Sequence, residues 1–378
     1  MATATINPRP IVWREPLLWM LAALPLALAC WLWQAGDVWT FVASAAAIVP
    51  LAGWMGRATE NLADSLSPAL GGLLNATFGN AAEMIIGLVA ISKGPHMYPL
   101  VKASLTGSII GNVLLVLGAA VLAGGLRYRE QRFNLRAARM NATLFVLAAS
   151  SLVVPALFHQ TYSASGAAPS TEASHLGSLS VQIAIVLAMV YLLSLVFSLG
   201  THRELLSGIS PETTPPPASR PHWSVARSLT ILVGATIGVA VMSELMVGSV
   251  ERTAHALGMN DVFVGVIVVA VVGNAAEHST AVLMAWHDRI EVAVHIAIGS
   301  GLQIALFVAP SLVLASFLFA GQQPLDLLFT RMELIAVAIS AAILVMVATD
   351  GETNWMEGVL LLAVYLILAL AFYQLPVS

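Results

Sequence analysis

Apolar segments of about 20 residues recur along the whole chain. A helix needs roughly that length to cross the hydrocarbon core of a bilayer, where every backbone polar group must be hydrogen-bonded within the protein. Eleven segments meet the requirement: 16–34, 38–56, 71–92, 99–125, 139–157, 178–200, 228–250, 261–286, 292–319, 330–348 and 355–374. The sequence therefore predicts an all-α integral membrane protein with about eleven transmembrane helices.

The composition supports a lipid environment. Hydrophobic residues make up 58% of the chain and charged residues only 10%, whereas a soluble protein carries roughly a quarter charged residues. The net charge of −4 argues against nucleic-acid binding. Segment 57–70 is amphipathic and too polar to span, so we expect it at the membrane interface. The first apolar stretch lacks a convincing small-residue cleavage site, so we interpret it as a retained span.

Basic residues indicate the orientation. With a cytoplasmic N-terminus, twelve of the 16 Lys and Arg residues fall on the inner side, as the positive-inside rule requires. Eleven spans then place the C-terminus outside, and we expect the protein in the cell (inner) membrane. The proline-rich segment 201–227 is interpreted as a cytoplasmic linker, and the Ser- and Thr-rich segment 158–177 as an outer loop.

A five-residue string occurs twice. Gly-Asn-Ala-Ala-Glu covers 79–83 in the third span and 273–277 in the eighth, at an offset of 194 residues, and a Gly-Ser pair follows each copy. The predicted topology runs the third and eighth spans in opposite directions, which indicates inverted repeats, an architecture of transporters. The predicted organisation is an N-terminus and leading helix (1–35), two inverted five-helix repeats (36–200 and 228–378) and the linker between them.

Each copy of the string ends in a glutamate inside an otherwise apolar span. A charge at mid-membrane costs roughly 2.5–3.5 kcal/mol on insertion scales. Glu83 and Glu277 have no Lys or Arg at comparable depth, so we expect them to bind a metal cation, or protons when that cation leaves. A site that holds either species is the simplest basis for exchange.

Further oxygen ligands accompany the glutamates. Hard cations such as calcium take six to eight oxygen ligands, including carboxylates and amide oxygens. Asn80 and Asn274 lie three residues before the glutamates, and Ser108, Ser300 and Gln303 follow in the next spans. The alternative is that Gly79 and Gly273 form close-packing surfaces for neighbouring helices, or that the serines bond only to their own helix backbone.

Three other titratable residues are candidates for accessory roles. His278 follows Glu277 and could relay protons or simply pack. Glu244, near the predicted outer end of the seventh span, could line an outer vestibule or reach the interface. Glu60, with Asp64 one turn later, could form a cytoplasmic entrance or a solvated helix face.

The motifs resemble those of a known family. GLLNATFGNAAEMIIGLVAI (72–91), VVGNAAEHSTAV (271–282) and AIGSGLQIALFVAP (297–310) are similar to the signature repeats of the calcium/cation–proton exchangers, the CAX family. The resemblance implies one leading helix plus two inverted five-helix repeats, and calcium export driven by proton entry. It implies that the motif glutamates, here Glu83 and Glu277, bind the cation. Many members carry an acidic helix between the halves, which 201–227 lacks, so calcium sensing there is not expected.

Other functions are weighed against this one. Exchange of sodium or manganese stays open, because oxygen ligands alone do not set selectivity, and a cation channel is a less favoured alternative. An intramembrane zinc protease is disfavoured, because Asn274 and Val282 stand where its pattern needs histidine. The sequence contains no glycine-rich phosphate-binding loop, so an ATP-driven pump is disfavoured. We expect no enzyme activity and no cofactor, with calcium ions, protons and the lipid bilayer as partners; homo-oligomerisation stays open.

Overall fold

A computed structural model describes residues 18–165, 169–202, 223–319 and 324–376 of the chain. Residues 1–17, which carry the predicted cytoplasmic N-terminus, and most of the predicted linker 201–227 lie outside these ranges. The described residues are nearly all helical. Their one sheet pairs two short strands, β1 (Gln131–Arg132) and β2 (Glu352–Thr353), in antiparallel register.

Thirteen helices account for most of the described residues. They are α1 (Ala23–Leu32), α2 (Asp37–Asp64), α3 (Pro68–Phe78), α4 (Ala81–Lys93), α5 (Pro95–Gly125), α6 (Leu135–Ala164), α7 (Pro169–Val196, continued by a π turn at Phe197–Thr201), α8 (Val225–Ala256), α9 (Asp261–Gly273), α10 (Ala275–Trp286), α11 (Ile290–Ser316), α12 (Arg331–Val347) and α13 (Trp355–Tyr373).

The lengths and hydropathies of these helices fit a membrane protein. Among the described residues, seven helices are long and apolar enough to cross a bilayer. The pairs α3–α4 and α9–α10 also qualify as broken spans, bent by 46° and 62°, which gives up to nine. Each of the eleven predicted segments overlaps one helix or one broken pair. The count of eleven spans, which would include α1 and α12, stays a prediction.

Helix α2 is longer than its apolar core. Residues 57–64, expected to lie at the interface as part of a separate segment, continue α2 without a break. The chain then turns, and Ser67 caps the next helix by accepting a hydrogen bond from the Leu70 amide, with Pro68 in the first turn. A serine followed by proline is a strong helix start. The amphipathic pattern therefore belongs to the end of α2 and the start of α3.

The helices differ in how much protein surrounds them. In the most apolar stretch of each helix, 83% of α5 and 67% of α11 is buried within the protein, compared with 33% of α6 and 17% of α7. Helices α2 and α8 pack along each other over most of their lengths. The centre of the fold therefore consists of α5, α11 and the two broken spans.

Both broken spans bend at the repeated string. Asn80 (φ −107°, ψ 26°) and Asn274 (φ −94°, ψ 4°) leave the helical conformation, and a new helix begins at the following alanine. Each motif glutamate thus lies in the first turn of α4 or α10. Such breaks release backbone groups, which a bilayer tolerates only where other protein groups or a cavity receive them.

Candidate cation site

The two breaks meet at the centre of the fold. A Cβ placed on Gly273 would lie 3.4 Å from Oε1 of Glu83, so the glutamate of the first string rests against the glycine of the second. Glu83 is 8% exposed and Asn80 and Asn274 are buried. Glu277 follows Gly273 by four residues, so the contact of Glu83 with Gly273 brings the two glutamates into the same region of the fold. Two like charges in this setting require a positive ion or protons between them.

Hydrogen bonds link the strings to the central helices. Asn80 donates through Nδ2 to Oε1 of Gln303 on α11. Asn274 donates through Nδ2 to Oγ of Ser108 on α5, at 2.9 Å. Each asparagine is therefore held by a side chain from the other half of the chain. Ser300 on α11 is buried and lies beside the carboxylate of Glu277.

Asn112 joins this cluster, although sequence reasoning did not single it out. Its Nδ2 donates to Oδ1 of Asn274 at 3.2 Å, and the residue is fully buried. It lies one helical turn after Ser108 on α5, so both side chains share a face. An amide in a buried stretch of a spanning helix, four residues after a candidate ligand, was the signal available in the sequence.

Several buried oxygen atoms of the cluster have no hydrogen-bond partner among the described residues. They are Oδ1 of Asn80, Oε2 of Glu83, Oδ1 of Asn112 and Oε2 of Glu277. All four are carbonyl-type or carboxylate oxygens, and all can accept but none carries a proton to donate when the glutamates are ionised. Buried acceptors without partners are costly. A bound cation or added protons would satisfy them.

The composition of the cluster suits a hard cation. It offers two carboxylates with amide and hydroxyl oxygens, the donor set that calcium prefers. In the part of the chain that the structure describes, no group of three or more His, Cys, Asp or Glu side chains is arranged to hold a metal. A site here would therefore depend on neutral oxygens as well as on the two carboxylates.

A small cavity adjoins Glu83. Ser104 and Ser108 of α5 line it together with the carboxylate, and its other walls are apolar side chains of α4, α5, α9 and α11. Its lining extends to Ala90 and Leu100, near the predicted outer ends of α4 and α5. Few polar groups border it, so it offers poor solvation to an ion.

The accessory candidates lie apart from one another. His278 is half-buried on α10, next to Glu277. Glu244 on α8 forms an ion pair with Lys93 at the end of α4, and lines a cleft that also contains Asp37 and Arg252. Lys93 follows Glu83 by ten positions in α4, about 15 Å along the helix axis. Glu60 is exposed near the end of α2. Only His278 adjoins the cluster.

Comparison with known proteins gives consistent matches along the chain. The family described as sodium/calcium exchanger protein matches residues 36–200 and 227–374. A Ca(2+)/H(+) antiporter of Synechocystis sp. is 45% identical over 373 residues, covering 94% of this chain and 96% of that protein. The Ca(2+)/H(+) antiporter ChaA of Bacillus subtilis is 41% identical over 355 residues, covering 94% and 97%.

Solved structures match as well. Native YfkE superposes with a TM-score of 0.79 at 37% identity, covering 95% of this chain and 100% of that chain. The H+/Ca2+ exchanger CAX superposes with a TM-score of 0.64 at 16% identity, covering 95% and 91%. At that identity the second match concerns the fold alone.

Proposed function

The chain belongs to the sodium/calcium exchanger protein family, and we infer from this that it is a calcium/proton antiporter. Two relatives above 40% identity are Ca(2+)/H(+) antiporters, and both match nearly their whole length. The protein is a membrane protein with several apolar spans, and calcium is its transported substrate. These relatives are transporters, and we propose that this chain has neither enzyme activity nor a cofactor.

We place the cation site at Glu83 and Glu277. One observation carries this assignment: the buried acceptor oxygens without partners gather where the two strings meet. Asn80, Asn112 and Asn274 would supply amide oxygens. Ser108, Ser300 and Gln303 would orient these groups or add further ligands.

The two carboxylates account for the exchange. Together they carry a charge of −2 when ionised, and either one calcium ion or two protons neutralises them. A buried charge without compensation is costly, so the empty, fully ionised site is disfavoured. Each ion therefore leaves as the other arrives, which couples calcium movement to proton movement without simultaneous binding.

The orientation completes the proposal. We propose a leading helix plus two inverted five-helix repeats in the cell membrane, with a cytoplasmic N-terminus and an outer C-terminus. Calcium would then leave the cytoplasm as protons enter by alternating access. His278 would tune or relay protons beside the site, Glu244 would line the outer vestibule and Glu60 the cytoplasmic entrance.

Calcium binding to the purified protein between pH 5 and pH 9 tests the shared site. Protons and calcium compete for the same carboxylates, so the apparent calcium affinity should fall as the pH falls. The two glutamates interact, so the titration belongs to the pair. Sodium and manganese as competing ions would measure selectivity. An affinity that does not change with pH would mean that protons travel by a separate route.

A further inference from the structure

The central helix α5 is sealed against α9 at one end of the fold. A Cβ on Gly107 would lie 2.0 Å from the carbonyl oxygen of Val266, and one on Gly265 would lie 2.6 Å from Cβ of Ala103. No side chain larger than hydrogen fits at either glycine without moving a helix. The backbones of α5 and α9 are therefore in direct contact, as glycine pairs allow between membrane helices.

The matching face of α11 has no such cover. Gly299 follows Gly107 by 192 residues and occupies the same place in the Gly-Ser pair. Among the described residues, a Cβ on Gly299 would meet no heavy atom within 4 Å. One turn earlier, His295 is exposed, whereas its counterpart Ala103 on α5 is fully buried. The same surface is thus closed on one central helix and open on the other.

Helix α3, the counterpart of α9, does not lie on that open face. Leu70 of α3 is 55% exposed, whereas Val264, 194 residues later on α9, is 1% exposed. Leu73 of α3 is 44% exposed. Helix α3 makes little contact with α11, although α9 packs closely on α5. Leu70 and Leu73 of α3 are therefore largely uncovered, whereas Leu74 and Phe78 of the same helix pack against the core.

The predicted topology, in which the third and eighth spans run in opposite directions, puts the closed and open faces at opposite ends of the fold. The closed end also carries the ion pair between Lys93 of α4 and Glu244 of α8. The position equivalent to Lys93 in the second half is His287, whose ring bonds to the Leu283 carbonyl of its own helix. By the predicted orientation, the structure is closed outside and open towards the cytoplasm.

The difference between the covered face of α5 and the uncovered face of α11 indicates a role for Gly299. A glycine inside a helix is unfavourable relative to alanine, and in the present structure no close contact at Gly299 offsets this cost. We propose that Gly299 is the docking point of α3 when the cytoplasmic end closes, so that α3 covers α11 as α9 now covers α5. The proposal rests on the alternating-access function above, and makes this packing exchange a required step of transport.

Blocking the docking point should stop exchange but not calcium binding. Gly299→Leu is compatible with the present packing at its Cβ, which would meet no heavy atom within 4 Å, and the leucine would obstruct α3. We expect at least a tenfold loss of calcium/proton exchange in everted vesicles, with calcium affinity of the purified protein within about threefold of the unaltered protein. Gly234→Leu is the matched control, since Gly234 on the exposed face of α8 also has nothing within 4 Å; it should exchange normally.

Chemical labelling at position 299 gives a second test, which does not depend on whether the leucine variant folds. The Gly299→Cys variant, made with Cys30→Ser, is labelled after insertion by a bulky membrane-impermeant thiol reagent. Labelling from the exposed cytoplasmic face of everted vesicles should abolish exchange and leave calcium binding intact. Absence of labelling from that face, unchanged exchange after labelling, or equal loss of binding and exchange would each overturn the proposal. Failure of the unaltered protein to exchange would instead refute the proposed function.

Discussion

Replacing Glu83 by glutamine removes one charge from the proposed site with little change in shape. Glu83 is 8% exposed, and its Oε2 has no hydrogen-bond partner among the described residues. Glutamine keeps one acceptor oxygen and loses the negative charge. A membrane segment accepts the neutral side chain more easily than the charged one. We therefore expect normal insertion and folding, so that any loss concerns ion binding.

The size of the effect depends on how buried the carboxylate is. A carboxylate and a doubly charged calcium ion 4 Å apart interact by about 8 kcal/mol at an effective dielectric constant of 20, and by about 2 kcal/mol in water. Because Glu83 is largely buried, the larger figure applies. As an upper bound it corresponds to roughly a millionfold weaker calcium binding, against about thirtyfold for a solvated carboxylate. Exchange would then vanish at calcium concentrations that saturate the unaltered protein.

Titration calorimetry and exchange in everted vesicles measure the two consequences. Glu333→Gln is the matched control, because Glu333 is 2% exposed and its hydrogen bonds join it to Thr330 and to Thr106 of α5, not to either repeated string. Its carboxylate completes a capping box with Thr330, a role that glutamine can also fill. That control should bind and exchange calcium normally. A Glu83→Gln variant with calcium affinity within fivefold of the unaltered protein would refute a buried charged ligand.

Two further outcomes are expected. Asn112→Ala should weaken calcium binding roughly tenfold. It removes an oxygen and the hydrogen bond that orients Asn274, which together contribute about 1.4 kcal/mol. A calorimetric affinity equal to that of the unaltered protein would exclude Asn112 from the site. In intact cells, a C-terminal tag should be reachable by protease or antibody and an N-terminal tag should be protected, whereas a protected C-terminal tag would mean an even number of spans.

Much of the helical architecture was predictable from hydropathy. A bilayer allows few structures, because every backbone polar group in it must be satisfied. The predicted segments accordingly overlap the helices and broken pairs of the structure. The interfacial segment was less well predicted, because 57–64 is polar yet continues α2 to Asp64. Polarity marks where a helix leaves lipid, not where it ends.

The breaks at Asn80 and Asn274 were predictable only in part. The repeated string marks both positions in the sequence, but the bends of 46° and 62° depend on the side chains that receive the released groups. Asn112 shows the limit clearly. Its role depends on Asn274, 162 residues away, and no local pattern brings the two together.

The structure shows that Gln303 and Asn112 have equivalent roles in the two halves, although the sequence offset does not pair them. A constant offset of 192 residues pairs Ser108 with Ser300, but pairs Gln303 with Gly111 and not with Asn112. In space, however, Gln303 bonds to the asparagine of the first string and Asn112 to that of the second. The π turn of α5 includes Asn112, whereas that of α11 begins just after Gln303.

The two π turns lie at equivalent places, because residues 112–116 and 304–308 differ by the same 192 residues. The difference is therefore in the side chains: glutamine is one methylene longer than asparagine, and can reach its partner from the neighbouring position. The two amides therefore serve the same purpose from different places in the sequence. Each amide holds the bent span of the opposite half through its hydrogen bond to Asn80 or Asn274. Moving either half would therefore disrupt one of these two hydrogen bonds. The halves are thus coupled through the proposed site itself, where calcium or protons would hold them together.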